Sequence, residues 1–494
     1  MSATGTNLKA WAREHLKGVE NTLFPSFSPD LKHLDEDGIR WDVRQSIAHG
    51  FFSMMCATET GLTLDEAKRF VAIAADEARD RIVVTTSLIL NNFDENMELM
   101  EHAEKAGVRG VLLGYPPTFH PDDEEVIFTV TKRFSDATKM HITLYPSPHF
   151  NFTRFHPSGF PPNVLVRLAE LPNVVAMKVG EMGLFADVHR LVGDKLLVGC
   201  PVERYVPLLI KGFDMQWMGA GCYEVFQSPD KPYLVEYFNL LLQGKVEPAM
   251  ELYWKLAPMR NIFEQQFNQT VMSGTYNWHQ QKFYQWCVGG NGGLTRQPAM
   301  KLHPWEADAI RMGFYAIDIP VREPEEEFWV GRVNYAKMHG GQDGKPVDEK
   351  PTDSRPSLST VSSDSGVQPD GLYPRFAQVV RDTRDELGTV PAMIRPMVRH
   401  ALKSKTGSSI DEWMRTAEEL EDAVRKQSAG GEAHLPQDTP ELRERLERLA
   451  SYFHDAPAET AKRSRDPQVI EQVRERMAAR EEVVLSLVTY IESL

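Results

Sequence analysis

Two residues in this chain sit where their chemistry is out of keeping with their neighbours: Lys178 inside LPNVVAMKVGE (171 to 181) and Tyr145 near the end of MHITLYP (140 to 146). The first stretch reads as a buried strand, and leaving an ammonium in an apolar interior costs several kcal/mol unless it is paired or neutralised. Side chains alternate across a strand, so Val174, Ala176, Lys178 and Gly180 share one face while Val175, Met177 and Val179 share the other. The bulkier set suits packing against helices, which leaves Lys178 on the inner face. A desolvated amine is neutral more of the time. A neutral amine attacks a carbonyl, and the iminium that follows is an electron sink for making or breaking the adjacent C–C bond without a metal. The same alternation puts His141, Thr143 and Tyr145 on one face and Ile142 and Leu144 on the other. A phenol beside the amine is a suitable proton carrier. Each residue alone also has a plainer reading, Lys178 as a lysine reaching the solvent or pairing with Glu181 and Tyr145 as a hydrogen-bonded core tyrosine. The pair says more than either.

The elements that must position this pair are legible as short apolar runs alternating with amphipathic segments. The runs are VENTLFPSF (19 to 27), GFFSMMCAT (50 to 58), RIVVTTSLI (81 to 89), GVLLGYP (110 to 116), MHITLYP, VVAMKVGE (174 to 181), KLLVGCP (195 to 201) and MQWMGAGC (215 to 222). Between them lie patterns such as TLDEAKRFVAIAADEARD and NMELMEHAEKAG, with apolar residues three and four apart. Eight strands alternating with helices predict a closed (β/α)8 barrel, a fold that keeps its chemistry at the C-terminal ends of its strands. Residues 230 to 314 read as wholly helical. The expected division is an N-terminal extension (1–17), a barrel with added C-terminal helices (18–338), a flexible linker (339–370) and a small all-α domain (371–494). The linker reading rests on GGQDGKPVDEKPTDSRPSLSTVSSDSGVQPD, which has too little apolar surface to offset the entropy of ordering it. The last domain rests on charged segments with one apolar stripe, such as DEWMRTAEELEDAVRKQ.

Composition excludes several function classes. A formal charge of −15 over 494 residues disfavours nucleic acid as a partner, since phosphate binding needs a basic footprint. The four cysteines, Cys56, Cys200, Cys222 and Cys287, are widely spaced, and the 15 histidines include no HxH or HExxH, so neither a disulfide framework nor a metal site is expected. No stretch approaches the roughly 18 apolar residues that span a bilayer. With no secretory signal at the N-terminus, a cytoplasmic location is expected.

On these stretches the chain resembles the dihydrodipicolinate synthase and N-acetylneuraminate lyase family of class I aldolases, over about residues 18 to 315. VENTLFPSFSPD with DEDGIRWDVRQSIAHGFFSMM is similar to the family's opening strand and first helix, LTLDEAKRFVAIAADEARDRIVVTT to its second helix and third strand, and AGVRGVLLGYPP to the approach to its fourth loop. LYPSP resembles its Tyr-Asn-x-Pro segment and LAELPNVVAMKVGE the segment holding its Schiff-base lysine. The resemblance implies that Lys178 forms the Schiff base and Tyr145 relays protons. It places Gly199 and Cys200 where the family has a glycine and an acidic residue after the seventh strand. The family's Gly-Thr-Thr-Gly-Glu loop is replaced by MMCATETG. Counting back from Leu62 puts Met55 and Cys56 at the threonines and Ala57 and Thr58 at the glycine and glutamate, while a slip of one residue brings in Thr58 and Glu59. Cys56, Ala57, Thr58 and Glu59 are thus the residues expected at the electron-withdrawing end of the substrate. Thr118 or Phe119 stands nearest the tyrosine by which the family reaches a neighbouring subunit, and Tyr115 lies a little earlier. The long loop PSPHFNFTRFHPSGFPP brings Phe150, Phe152, Arg154 and His156, with Arg154 expected to face an anionic group.

The reading is a Schiff-base lyase or aldolase acting on a small carbonyl compound, a 2-oxo acid or a relative, without a cofactor. The resemblance also implies a homo-oligomer, a dimer or tetramer. The same iminium serves a hydratase or dehydratase. A barrel that kept its fold as a scaffold or ligand sensor for the helical domain is the rival from another class, and a phosphate-binding isomerase using GAGC ranks last. Retention of both Lys178 and Tyr145 favours catalysis.

Overall fold

The computed structural model describes residues 7–147, 150–157, 159–273, 276–297, 301–340, 369–389, 395–428, 440–463 and 467–492. Each of the eight apolar runs supplies a strand: β1 Gly18–Leu23, β2 Ser53–Cys56, β3 Val83–Leu88, β4 Gly110–Leu113, β5 His141–Leu144, β6 Val174–Lys178, β7 Leu197–Gly199 and β8 Trp217–Gly221. All seven hydrogen-bonded strand pairs are parallel, in the order β7-β6-β5-β4-β3-β2-β1-β8. At the remaining seam β7 meets β8, where a Cβ on Gly199 would lie 2.2 Å from the Trp217 ring. Only a glycine lets the two strands approach there. The result is a nearly closed (β/α)8 barrel.

Local sequence starts and stops the outer helices. Thr63 and Glu66 form a reciprocal cap on Leu64–Ala78. Asn92 caps Phe93–Ala106, whose end is turned by Gly107 at φ 97°. Asp123 caps Glu124–Ala137.

The expected N-terminal extension contains a helix, Leu8–His15, packed against β6. Its Leu8, Trp11 and Ala12, with Leu16 just past its end, join Ala176, Leu197 and Trp217 in one apolar cluster. The Trp11 ring lies 5.5 Å from that of His141, the first residue of β5. Gly110 leaves room for that imidazole, since a Cβ on it would be 2.0 Å from the ring. His141 therefore belongs to the end of the barrel where the strands begin, opposite Lys178.

The stretch after β8 is not helical throughout. Helices Tyr233–Leu242, Val246–Lys255, Ala257–Ser273 and Trp278–Cys287 are followed by the irregular segment VGGNGG (288 to 293), and only then by Pro304–Ala316, Glu326–Val330 and Arg332–Met338. Gly289, Gly292 and Gly293 take φ of 117°, 71° and 88°, a region that other residues enter at a cost and that ends a helix. The segment is clamped to helix Glu36–Ala48 through Asn291 N–H to Asp42 Oδ1 (2.6 Å) and Trp41 Nε1–H to the Gly289 carbonyl (2.8 Å).

The chain divides into two compact units, Met1–Lys350 and Pro351–Leu494. Most of the expected linker, residues 341–368, lies outside the described residues. In the second unit the helices Pro369–Thr389, Arg395–Thr406, Ile410–Ser428, Pro440–Arg463 and Pro467–Glu492 bury one apolar stripe each, with Phe376, Trp413, Leu446, Phe453 and Leu487 at the centre. Its described residues include no strand. No described helix is long and apolar enough to cross a membrane.

Candidate active site

Lys178 is the last residue of β6 and is only 8% exposed. Its Nζ donates a hydrogen bond of 2.7 Å to the carbonyl of Ala220 on β8. Gly219 makes space for the stem, because a Cβ there would stand 3.0 Å from Lys178 Cγ and 3.2 Å from Cδ. The side chain neither reaches out to solvent nor pairs with Glu181. That carboxylate instead caps helix Met182–Val192, accepting from the N–H groups of Gly183 (2.9 Å) and Leu184 (2.6 Å). Tyr145 follows β5 directly, and its ring centroid is 4.8 Å from Lys178 Nζ. It packs on Met55, Leu112 and Ala220 inside the barrel, with Phe150 edge-on at 6.0 Å. Strand alternation has brought the expected pair together at the C-terminal end of the barrel.

A second phenol joins them. The Tyr276 hydroxyl is 3.4 Å from that of Tyr145, and its ring stacks on Trp278 at 4.5 Å and 15°. The proximity of the Tyr145 phenol, followed by burial, holds the Tyr276 hydroxyl well above the usual phenol range. Two buried carboxyl groups also feel the charge of the amine. Glu20 on β1 accepts from Ser53 Oγ (3.1 Å) and Thr85 Oγ1 (2.8 Å); burial pushes its carboxyl up, while the Thr85 bond and the Lys178 charge oppose that. Glu59 in the loop after β2 accepts from Ser87 Oγ at 2.5 Å; burial raises it too, with Ser87 and the Lys178 charge acting the other way.

The remaining expected site residues are placed as follows. Thr58 is buried against β3, its N–H donating to Ser87 Oγ (3.0 Å) and its hydroxyl to the Ser87 carbonyl (2.8 Å). Ala57 is fully buried, with its N–H on the Leu23 carbonyl at 3.0 Å. Because Met55 faces the barrel interior, the alternation turns Cys56 toward the outer layer, where burial drives its thiol far up. Gly199 is in register with Lys178 on the neighbouring strand. Cys200, next to it, is buried, and its thiol is pushed up to about 11 by that burial, with the Lys178 charge pulling it down. Thr118 is exposed. Arg154 is exposed as well, its guanidinium bonded to the Pro121 carbonyl and lying 4.0 Å over the Phe155 ring, so it ties two loops together. Tyr115 is buried with its hydroxyl on Thr131 Oγ1 at 2.5 Å, at the centre of a cluster with Phe119, Phe150, Phe152 and Phe160.

A sequence profile described as the dihydrodipicolinate synthetase family matches residues 15–213, the span that holds β1 to β7 and both Tyr145 and Lys178. Over these residues the barrel is similar to this family. Among its relatives, 4-hydroxy-tetrahydrodipicolinate synthase of Syntrophobacter fumaroxidans is 27% identical over 233 residues, covering 46% of this chain and 76% of the relative. The enzyme of the same name from Methanothrix thermoacetophila is 28% identical over 251 residues, covering 49% and 80%. In structure, dihydrodipicolinate synthase from Aquifex aeolicus aligns with a TM-score of 0.52 at 18% identity, over 62% of this chain and 100% of that one. That likeness speaks for the fold.

Within the barrel, sequence reasoning missed Glu20, Ser87 and Tyr276. Glu20 carried a usable signal, since a carboxylate inside VENTLF is the same anomaly as a lysine inside VVAMKV. Tyr276 carried none: it precedes helix Trp278–Cys287 and reaches Tyr145 across 131 residues of chain.

Proposed function

We propose that the barrel is a Schiff-base-forming lyase of the class I aldolase type, with Lys178 as the nucleophile and Tyr145 as the proton carrier. One observation carries the reading: a buried lysine amine at the C-terminal end of β6 lies 4.8 Å from the ring of Tyr145. Similarity to the dihydrodipicolinate synthetase family over residues 15–213, and the names of the relatives, support it.

The chemistry follows from the groups present. The neutral amine adds to the substrate carbonyl, and one nitrogen proton moves to the oxygen to give a neutral carbinolamine; a further proton, donated by the Tyr145 hydroxyl and replaced from the medium, goes to the departing hydroxyl while the nitrogen keeps its remaining hydrogen. Water leaves and a cationic iminium remains. In the cleavage direction a base takes the proton of a hydroxyl one carbon further along. The C–C electron pair then flows into the iminium, releasing a second carbonyl compound and leaving an enamine. Protonation of that enamine and hydrolysis free the lysine; condensation is the reverse. The Ala220 carbonyl and the space left by Gly219 fix the amine in place, and the Tyr276 hydroxyl, 3.4 Å from that of Tyr145, offers the proton a second carrier.

The test is intact-mass measurement of the whole chain after incubation with a panel of carbonyl compounds and borohydride reduction, beside Lys178→Ala. An adduct seen in the natural chain and lost in the variant supports the reading. Adducts of equal yield in both chains, or none with any compound, would overturn it.

A further inference from the structure

The hydroxyls of Tyr145 and Tyr276 face each other at 3.4 Å, longer than a relaxed O–H···O bond and within the slack that catalytic hydrogen bonds show before a substrate tightens them. Tyr276 is held in that position. Its ring stacks on Trp278 at 4.5 Å and 15°, and Trp278 is buried against Phe24, the residue that follows β1, at 5.4 Å. Asn277, between the two aromatic residues, is buried and caps helix Trp278–Cys287, its Oδ1 accepting from the Gln280 N–H at 3.1 Å. Since β1 and β5 stand four strands apart in the barrel, Tyr276 approaches Tyr145 from across its mouth.

The loop after β4, residues 114 to 123, is where the resemblance puts a tyrosine that reaches a neighbouring subunit. Here it has one phenol, Tyr115, and that hydroxyl is already bonded to Thr131 Oγ1 at 2.5 Å inside its own chain. Thr118 is exposed, and Phe119 stacks on Tyr115 at 5.4 Å. The second phenol at this site comes instead from the helices that follow the barrel.

Its chemistry follows from what Tyr145 must do. When Tyr145 gives its proton to the departing hydroxyl, the C–O bond breaks, water leaves, and the Tyr145 oxygen is left as a phenolate. A phenol beside that oxygen stabilises it by a charge-assisted hydrogen bond, then hands over its own proton and regains one from water. The Tyr145 phenol, and then burial, keep the Tyr276 hydroxyl protonated and so able to donate.

Resting on the Schiff-base reading, we propose that Tyr276 is the positioning residue of Tyr145, orienting its hydroxyl and stabilising the oxygen left when its proton departs, and that this phenol pair is completed within one chain.

The readout is the rate at which cyanoborohydride fixes pyruvate on the Lys178 peptide of the full chain: the amine adds to the ketone, water leaves, and hydride reduces the iminium to a secondary amine. Tyr276→Phe keeps the ring for Trp278 and removes the hydroxyl. Labelling is expected to slow about tenfold, as for the loss of one hydrogen bond to a charged group. In a Tyr145→Phe background the same change is expected to slow it by no more than about twofold, because residues acting through one another are not additive. A purely structural role for the ring would leave Tyr276→Phe at the natural rate, and a role independent of Tyr145 would slow both backgrounds equally; either result overturns the assignment. Co-expression of Lys178→Ala chains with Tyr276→Phe chains tests the second half. A phenol supplied within the chain leaves the mixture at the Tyr276→Phe rate per intact lysine, whereas recovery of the natural rate shows that a neighbouring subunit supplies it and overturns the claim. No label on Lys178 of the natural chain refutes the Schiff-base reading and takes this role down with it, so the failures are told apart.

Discussion

Glu224, in the short turn Tyr223–Phe226 after β8, gives the barrel a pH-dependent stability that one substitution removes. Its Oε1 accepts from Asn21 Nδ2 (2.5 Å) and Gln285 Nε2 (3.0 Å), while Oε2 is buried with no hydrogen-bond partner. Burial pushes the carboxyl up from 4.5 to about 8. The folded state therefore holds this proton more tightly than the unfolded chain does. Its stabilising contribution is complete below pH 4.5 and is lost as pH rises through 8. A 3.5-unit difference (8 less 4.5) sets a ceiling of about 5 kcal/mol at 1.36 kcal/mol per unit. Glu224→Gln keeps an oxygen for Asn21 and Gln285, stays neutral at every pH, and so loses this contribution to the slope. The assay is urea unfolding between pH 5 and 8.5, followed by tryptophan fluorescence; of the nine tryptophans only Trp413 lies beyond the barrel unit. The barrel transition of the natural chain is expected to weaken relative to the variant by a few kcal/mol across that range. Parallel curves, with the same difference at pH 5 and 8.5, would refute the reasoning.

Three further outcomes follow from the geometry. Tyr145→Phe keeps the ring on Met55 and Leu112 and removes the hydroxyl, so Schiff-base formation at Lys178, measured by the rate of reductive trapping, slows by about 10²-fold or more with the fold intact by circular dichroism. Gly199→Ala sets a methyl 2.2 Å from the Trp217 ring at the β7–β8 seam and costs about 1–3 kcal/mol of barrel stability in urea unfolding. Lys282 is fully buried, donating to the Pro25 carbonyl (3.0 Å) and Ser26 Oγ (3.1 Å) with Asp42 Oδ2 at 4.0 Å. Lys282→Met strands the Asp42 charge and lowers stability by roughly 3–5 kcal/mol; trapping of carbonyl compounds at Lys178 continues in the folded variant.

Lys178 and Tyr145 were legible because a period of two on a strand fixes which face a residue takes, and parallel order then makes β5 and β6 neighbours. The eight strands were legible for the same reason, as apolar runs bounded by turn residues. What came in from elsewhere in the chain was not. Tyr276 meets Tyr145 only because helices Ala257–Ser273 and Trp278–Cys287 fold back over the barrel. Arg154 and Thr118 lie in loops, where no local period sets the direction of a side chain, and Arg154 turns to the Pro121 carbonyl. Helix Leu8–His15 is two turns long and is held by packing on β6 more than by its own propensity. The break at VGGNGG was written in its glycines, yet the apolar residues on both sides read as one helical run. Lys282, as deeply buried as Lys178, shows that burial alone does not make a lysine a nucleophile: its partners are an acid, a hydroxyl and a carbonyl packed around it.

The central claim concerns one amine, and peptide mapping of the reduced adduct tests it most directly. The full chain is trapped with a compound that gives an adduct by intact mass, digested, and the modified lysine is identified by fragmentation. The account predicts one dominant site, Lys178, labelled long before the surface lysines and before Lys282. Labelling spread over exposed lysines with Lys178 unmodified would contradict it.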